Sequence, residues 1–228
     1  MYFHHRSKLE NLRISHIIAA IALMIGIAFL VVTLDPYSYL RAHGYPRQLV
    51  SAFQAFLVLC AGVAFLIKIR ALSISDFGFM KEKRKNTLLW GCIGGLLLGI
   101  VQFPYKIVAG DRSVPMDLYV DSQYHGLFWI LLFLLFVTIL IPILQELFYR
   151  FYLYWGIRNR FGRFWAYSAS ALLFSLGHEP FNSGWILLFL LSSLILTYLY
   201  EKTEYLGSSV IAHMVWNAIW YTAAYLLV

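Results

Sequence analysis

Long apolar stretches alternate with short polar connections along the whole chain. Seven of them stand out, at about 16–34, 49–67, 87–105, 126–157, 164–178, 184–200 and 206–228. Several reach the roughly 20 apolar residues that a helix needs to cross the hydrocarbon core of a bilayer. The pattern predicts an all-α fold, a polytopic transmembrane helical bundle of about seven spans, with eight as the alternative.

The fourth stretch is longer than one crossing requires. As a helix it would measure roughly 48 Å, against a hydrocarbon core of about 30 Å. Pro142 lies near its middle, where the missing N–H removes one backbone hydrogen bond. We therefore expect a helix that is kinked at Pro142, with residues 144–154 as its functional half.

Composition supports a membrane protein and excludes a separate soluble domain. The chain has 228 residues, of which 61% are hydrophobic and 13% are charged, whereas soluble domains carry about 25% charged residues. The net charge of +7 comes from Lys and Arg near the ends of the apolar stretches, so it indicates membrane topology and no nucleic-acid partner. We expect one integral membrane domain over residues 1–228.

The basic residues also predict an orientation. With a cytoplasmic N-terminus, most of the Lys and Arg residues outside the spans lie on the cytoplasmic side, as the positive-inside rule requires. The apolar run at 17–34 is too long for the core of a signal peptide, so it is expected to be retained as the first span. The basic residues that would lie on the outer side are Arg41, Arg47, Lys106 and Arg112.

The third stretch carries glycines at a spacing that favours close helix packing. Gly91, Gly95 and Gly99 form two overlapping GxxxG patterns. Small residues at this spacing let two helices approach closely. We expect packing within the molecule rather than a dimer interface.

Three apolar stretches carry the polar side chains that point to chemistry. Glu146 is the only acidic residue inside any of the long apolar stretches, and Arg150 follows it by one helical turn. His178 ends the fifth stretch, while His213 and Asn217 share one face of the last. A charged group persists in hydrocarbon where it is paired, faces a cavity or does chemistry. We expect these groups to converge around a water-filled pocket.

Such a set of side chains is compatible with several functions. Glutamate and histidine can activate water as general bases, while asparagine or a second histidine can stabilise an oxyanion. Glu146, His178 and His213 could instead hold a divalent metal such as zinc, although no HExxH motif is present. A structural ion pair and the proton relay of a small transporter are the alternatives. A transporter usually carries repeated halves, and the chain shows no internal repeat.

The order and spacing of these motifs resemble those of the CPBP family of intramembrane proteases. The family pattern is Glu-Glu-xxx-Arg on one helix, Phe-xxx-His on the next, and His-xxx-Asn or His-xxx-Asp on a later helix. Phe174 and His178 match the second motif, and His213 and Asn217 match the third. The two motifs together are specific, whereas either one alone would be weak.

The family includes the CAAX prenyl endopeptidases of the Rce1 type and bacterial proteins linked to abortive infection or bacteriocins. The stretch Ser75-Asp76-Phe77-Gly78-Phe79 resembles the short segment that precedes the family's core. The resemblance therefore implies a protease core at 75–225.

The first motif departs from the family pattern. Arg150 fixes the register, so Gln145 stands in the place of the first glutamate and Glu146 in the place of the second. The resemblance implies that the first glutamate activates water together with the histidine of the second motif. A glutamine cannot take a proton as a base. Either Glu146 has taken over this role, or the chain is an inactive member that acts as a membrane binding or scaffold protein.

We favour an intramembrane endopeptidase that acts on membrane-associated peptides or proteins. The short loops suggest a bacterial protein, which would place it in the inner membrane. Glu146 is expected to act as the base with His178, while the third motif stabilises the oxyanion or orients the substrate. The catalytic residues of this hypothesis are Glu146, His178, His213 and Asn217, supported by Gln145, Arg150 and Phe174.

Overall fold

The computed structural model describes residues 13–34, 38, 47–70, 84–109, 126–178 and 183–226. Within them the chain forms helices at all seven apolar stretches and no strand, so the all-α fold is confirmed. The helices are α1 (Ile14–Leu34), α2 (Arg47–Arg70), α3 (Arg84–Ala109), α4 (Leu127–Phe161), α5 (Arg163–His178), α6 (Ser183–Thr203) and α7 (Leu206–Leu226).

Among the described residues, four helices are long and apolar enough to cross a membrane. They are α1, α2, α4 and α6, while the apolar part of α3 is shorter. Large apolar side chains cover the outer surface of the bundle, where lipid tails would solvate them. Examples that are more than three-fifths exposed are Ile25, Phe29, Ile100 and Phe128. The chain is an integral membrane protein, and the count of seven crossings stays a prediction.

Several predictions from the sequence fall outside the described residues. The connections at 39–46, 71–83 and 110–125 are among them, and so is the family-like segment at 75–79. The orientation with a cytoplasmic N-terminus rests partly on these connections, and it stays a prediction.

Helices α3 and α7 pack closely along the glycines of α3. A Cβ atom added at Gly91 would lie 2.7 Å from the side chain of Ile211, and one added at Gly95 would lie 2.7 Å from the carbonyl oxygen of Ala212. Gly99 continues the same face toward the end of α7. The predicted packing within the molecule is therefore confirmed.

Helix α4 runs without interruption past Pro142, and it contains two wider turns. The stretches Phe136–Leu140 and Leu147–Tyr154 are π-helical, and they flank the α-helical stretch Ile141–Glu146. The N–H of Ile141 bonds to the carbonyl five residues earlier, that of Phe136. A π-helical turn therefore lies directly before Pro142, and the kink that we expected at Pro142 stays a prediction. Such turns occur often at functional sites.

One carboxylate ties α4, α5 and α6 together at one end of the bundle. Glu201 forms ion pairs with Arg158 at 2.8 Å and with Arg163 at 2.6 Å. The hydroxyl of Tyr167 donates to the same carboxylate at 3.0 Å. Gly162 makes the turn between α4 and α5 with φ of +84°, which glycine adopts without strain. The contacts of Glu201 hold the first turn of α5 against α4 and α6, so that His178, at the other end of α5, lies next to α4.

The close packing of α3 on α7 predicts a large difference between two glycine substitutions. Gly95→Ala should lower the free energy of unfolding by about 1–3 kcal/mol, because its Cβ would meet the backbone of α7. Gly26→Ala is the matched control, since a Cβ there meets nothing within 4 Å and alanine is the better helix former. Denaturant titration of both variants in detergent measures the difference, and equal effects would contradict the packing.

Candidate active site

The carboxylate of Glu146 lies at the centre of the site. Arg150, one turn later on α4, donates from Nη1 to Oε1 at 3.1 Å, and both side chains are 0% exposed. His213 on α7 contacts the same oxygen through Nδ1 at 2.8 Å. Because Oε1 already accepts from a guanidinium, the imidazole is the donor in this second contact. One carboxylate oxygen therefore joins α4 to α7.

Arg150 extends the network to the two remaining helices of the site. Its Nη2 donates to the side chain of Ser193 at 3.0 Å and to the carbonyl of that residue at 3.3 Å. The guanidinium carbon lies 4.6 Å from the ring centroid of Phe174 on α5, within the range of a cation–π interaction. Arg150 thus contacts α5 and α6 while it neutralises Glu146.

His178 pairs with the glutamine that replaces the family's first glutamate. Its Nδ1 lies 2.7 Å from the carbonyl oxygen of Phe174, which only accepts, so Nδ1 carries the hydrogen. Nε2 is then an acceptor, and the amide nitrogen of Gln145 donates to it at 3.2 Å. Both side chains are half-buried, so this pair forms the more accessible edge of the site.

Phe174 packs between the two imidazoles. Its ring centroid lies 4.2 Å from that of His178 and 5.7 Å from that of His213. The Gln145–His178 pair and the Glu146–His213 pair are therefore neighbours around one aromatic ring. The predicted convergence of three apolar helices is confirmed in its geometry, while the water-filled pocket and the catalytic roles stay predictions.

The second carboxylate oxygen of Glu146 has no hydrogen-bond partner among the described residues. Oε2 is buried. Ser209 lies beside this carboxylate, but its hydroxyl donates to the carbonyl of Leu206 at 3.0 Å. A buried acceptor without a donor costs about 1–3 kcal/mol, so such an atom calls for a functional explanation. Oε2 is the atom of the site with lone pairs free to accept a proton.

Residues 127–219 match the family model described as Type II CAAX prenyl endopeptidase Rce1-like. This segment is an Rce1-like domain. It contains all the motif residues discussed above and confirms the family that the motifs indicated. The Rce1-like family is a protease family. No curated protein and no solved structure matches the chain significantly.

The Rce1-like domain begins at α4, and α1 to α3 lie before it. The start of the protease core at residue 75, which the sequence suggested, therefore stays a prediction. All seven site residues predicted from the sequence lie inside the matched segment.

Asn217 lies in the domain's third motif but contacts the backbone of α4 rather than Glu146. Its amide nitrogen donates to the carbonyl of Val137 at 2.8 Å. In the π-helical register set by Ile141, the next N–H would belong to residue 142 and would bond to Val137. Pro142 has no N–H, so the side chain of Asn217 supplies the missing donor. The oxyanion role predicted for Asn217 has no contact that supports it, and it stays a prediction.

The described side chains of the Rce1-like domain are not arranged as a metal site. Among the described residues, no three His, Cys, Asp or Glu side chains are grouped to hold a metal ion. Oε1 of Glu146 accepts from two donors, the guanidinium of Arg150 opposes a nearby cation, and Nε2 of His178 faces an amide. The zinc ligands that the sequence allowed, Glu146, His178 and His213, therefore do not fit a metal here, and we derive no step through one.

Sequence reasoning missed the residues that support the motifs from α6 and α7. Ser193 accepts a hydrogen bond from Arg150, and Ser209 lies beside Glu146. Trp216 stacks on His213, with ring centroids 5.2 Å apart. The available signal was weak. It consisted of two successive serines inside the apolar run of α6 and of a tryptophan inside the third motif.

The contact between Asn217 and Val137 predicts a dependence on Pro142. Asn217→Leu should lower the free energy of unfolding by about 1–3 kcal/mol, because it leaves the Val137 carbonyl buried without a donor. Pro142→Ala restores a backbone N–H, so the same leucine substitution should cost less in that background. A double-mutant cycle on unfolding in detergent measures the coupling. Additive effects would show that the two residues do not serve the same carbonyl.

Proposed function

We propose that the protein is an intramembrane endopeptidase that hydrolyses peptide bonds of membrane-associated peptides or proteins. The observation that carries the proposal is the state of the Glu146 carboxylate. One oxygen is held by Arg150 and His213, while the other is free, and the whole arrangement lies in a segment that matches a protease family. A fixed carboxylate with one free oxygen is suited to act as a general base.

In the proposed reaction, Oε2 of Glu146 takes a proton from a water molecule, and the water oxygen attacks the scissile carbonyl carbon. The carbonyl oxygen then carries the negative charge of a tetrahedral intermediate. The peptide C–N bond breaks as the leaving nitrogen receives the proton, so Glu146 returns to its ionised form. Arg150 and His213 keep the carboxylate aimed during these steps, which preserves the geometry on which the rate depends.

The accessible pair supplies the remaining groups. The amide of Gln145 is a half-buried N–H donor and can turn from His178 to the developing oxyanion. Nε2 of His178 accepts from this amide and is released when the amide turns, so it is the second proton acceptor of the site. In this proposal Gln145 replaces the oxyanion role that the sequence suggested for Asn217, because the Asn217 amide already donates to α4.

A second candidate, a catalytically inactive binding protein, is favoured by one observation. The position that holds the water-activating glutamate in the family is occupied here by Gln145, whose amide is bonded to His178. Glutamine accepts no proton, so this pair alone cannot act as the family's glutamate and histidine do. In that case the buried ion pair of Glu146 would be only structural.

The catalytic proposal predicts that the proton acceptor at position 146 is essential. Glu146→Gln should reduce cleavage at least about 100-fold, because removal of a general base commonly costs 10² to 10⁴ in rate. Glu201→Gln is the matched control, since Glu201 on α6 is also paired with arginines but lies beside the end of α5 opposite His178. Purified protein in liposomes and a library of membrane-tethered peptides, followed by mass spectrometry, provide the measurement.

Substitutions at the accessible pair separate the two candidates. The peptidase proposal expects His178→Ala to lose cleavage, and it expects Gln145→Ala, which removes the proposed oxyanion donor, to reduce cleavage about 100-fold. Retained cleavage in Glu146→Gln would overturn the assignment of the base. If the natural chain cleaves no member of the library and Gln145→Glu does, the binding-protein candidate is correct.

A further inference from the structure

We propose that Gln102 on α3 is a positioning residue for the site, and that it acts on His213 through the indole of Trp216. The inference rests on the proposed function, and it extends the site to a helix outside the Rce1-like segment. Gln102 is 1% exposed. A buried primary amide is costly unless its polar atoms are hydrogen-bonded. Both the nitrogen and the oxygen of the Gln102 amide have a hydrogen-bond partner.

The amide of Gln102 joins α3 to two other helices. Its nitrogen donates to the hydroxyl of Ser192 on α6 at 2.6 Å, and its oxygen accepts from the indole nitrogen of Trp216 on α7 at 3.1 Å. Indole has a single N–H donor, so this bond fixes the rotation of the Trp216 side chain. Gln102 can reach it because the glycines of α3 bring that helix close to α7.

Trp216 in turn fixes the plane of His213. The two rings are stacked, with centroids 5.2 Å apart and planes inclined by 28°. Phe174 contacts the imidazole from α5, with centroids 5.7 Å apart and planes inclined by 61°. The bond from His213 to Oε1 of Glu146 lies in the plane of the imidazole, so the direction of that bond depends on the two aromatic neighbours. A rotated carboxylate would move Oε2, the proposed proton acceptor.

A purely structural role for Gln102 is the competing explanation, because the amide also ties α3 to α6 through Ser192. The two roles differ in which partner matters. A structural tie should depend on Ser192 and Trp216 alike, whereas a positioning role should depend on the Trp216 N–H and hardly at all on Ser192. Trp216→Phe retains an aromatic ring and removes that N–H.

The experiment compares Gln102→Leu, Trp216→Phe and the double variant, with Ser192→Ala as the matched control. We expect each of the two single variants to lower kcat about tenfold or more, because small displacements of catalytic groups are costly, with KM nearly unchanged. The double variant should be no slower than the slower single one, since both changes break the same link. Ser192→Ala should keep kcat within about twofold of the natural chain, because it leaves the bond between Gln102 and Trp216 in place. It should lower stability alone, since the buried amide nitrogen of Gln102 loses its acceptor.

A second readout does not depend on cleavage. Nitrogen-15 NMR of labelled histidine, with the His213 signals assigned from their loss in His213→Gln, reports which ring nitrogen carries the hydrogen. We expect one tautomer, protonated at Nδ1, in the natural chain and in Ser192→Ala, and a mixture in Gln102→Leu and Trp216→Phe. This readout still decides the inference if the natural chain cleaves nothing, which would defeat only the proposed function.

Three results would overturn the inference. The first is a Ser192→Ala variant as slow as Gln102→Leu. The second is a double variant whose loss equals the product of the two single losses. The third is an unchanged His213 tautomer in Trp216→Phe, which tests the inference even if Gln102→Leu does not fold.

Discussion

The structure of the site depends on one carboxylate that is buried inside the bundle. The ionised forms of Glu146 and Arg150 each lose several kcal/mol of solvation when they are buried, and hydrogen bonds of good geometry must compensate for that loss. The partners come from different helices, with His213 on α7 and Ser193 on α6. Helices α4, α6 and α7 therefore have to meet around Glu146 and Arg150. Helix α5 joins them through the ring of Phe174, which packs against the guanidinium.

The residues of the third motif and Arg150 differ in what they contact. Arg150 and His213 contact the carboxylate itself, whereas Asn217 completes the backbone of α4 where Pro142 leaves a carbonyl without a donor. The π-helical turns on either side of Ile141–Glu146 also change the backbone of α4, because they alter the direction in which successive side chains leave the helix. Asn217, whose spacing in the sequence indicated a catalytic role, thus donates a hydrogen bond to the helix that carries Glu146.

The helices could be predicted from the sequence, and the partners within the site could not. Lengths of apolar runs depend on the bilayer alone, and the Glu146–Arg150 pair follows from their separation by one turn. The hypothesis paired Glu146 with His178. In the structure His178 bonds to Gln145, and Glu146 bonds to His213. Successive helical residues point about 100° apart, so adjacent positions face different helices, and only the tertiary packing decides which. Gln102 carried no signal, because a single glutamine near the end of an apolar run matches no pattern.

The bond between Glu146 and His213 is the contact on which this account depends most, and a double-mutant cycle tests it directly. Glu146→Gln, His213→Gln and the double variant would be unfolded by denaturant in the same detergent, and their free energies of unfolding compared. The account predicts a coupling energy of about 1 kcal/mol or more, since residues in direct buried contact are not additive. Effects that add within about 0.5 kcal/mol would mean that the two side chains do not meet, and the site described here would not exist.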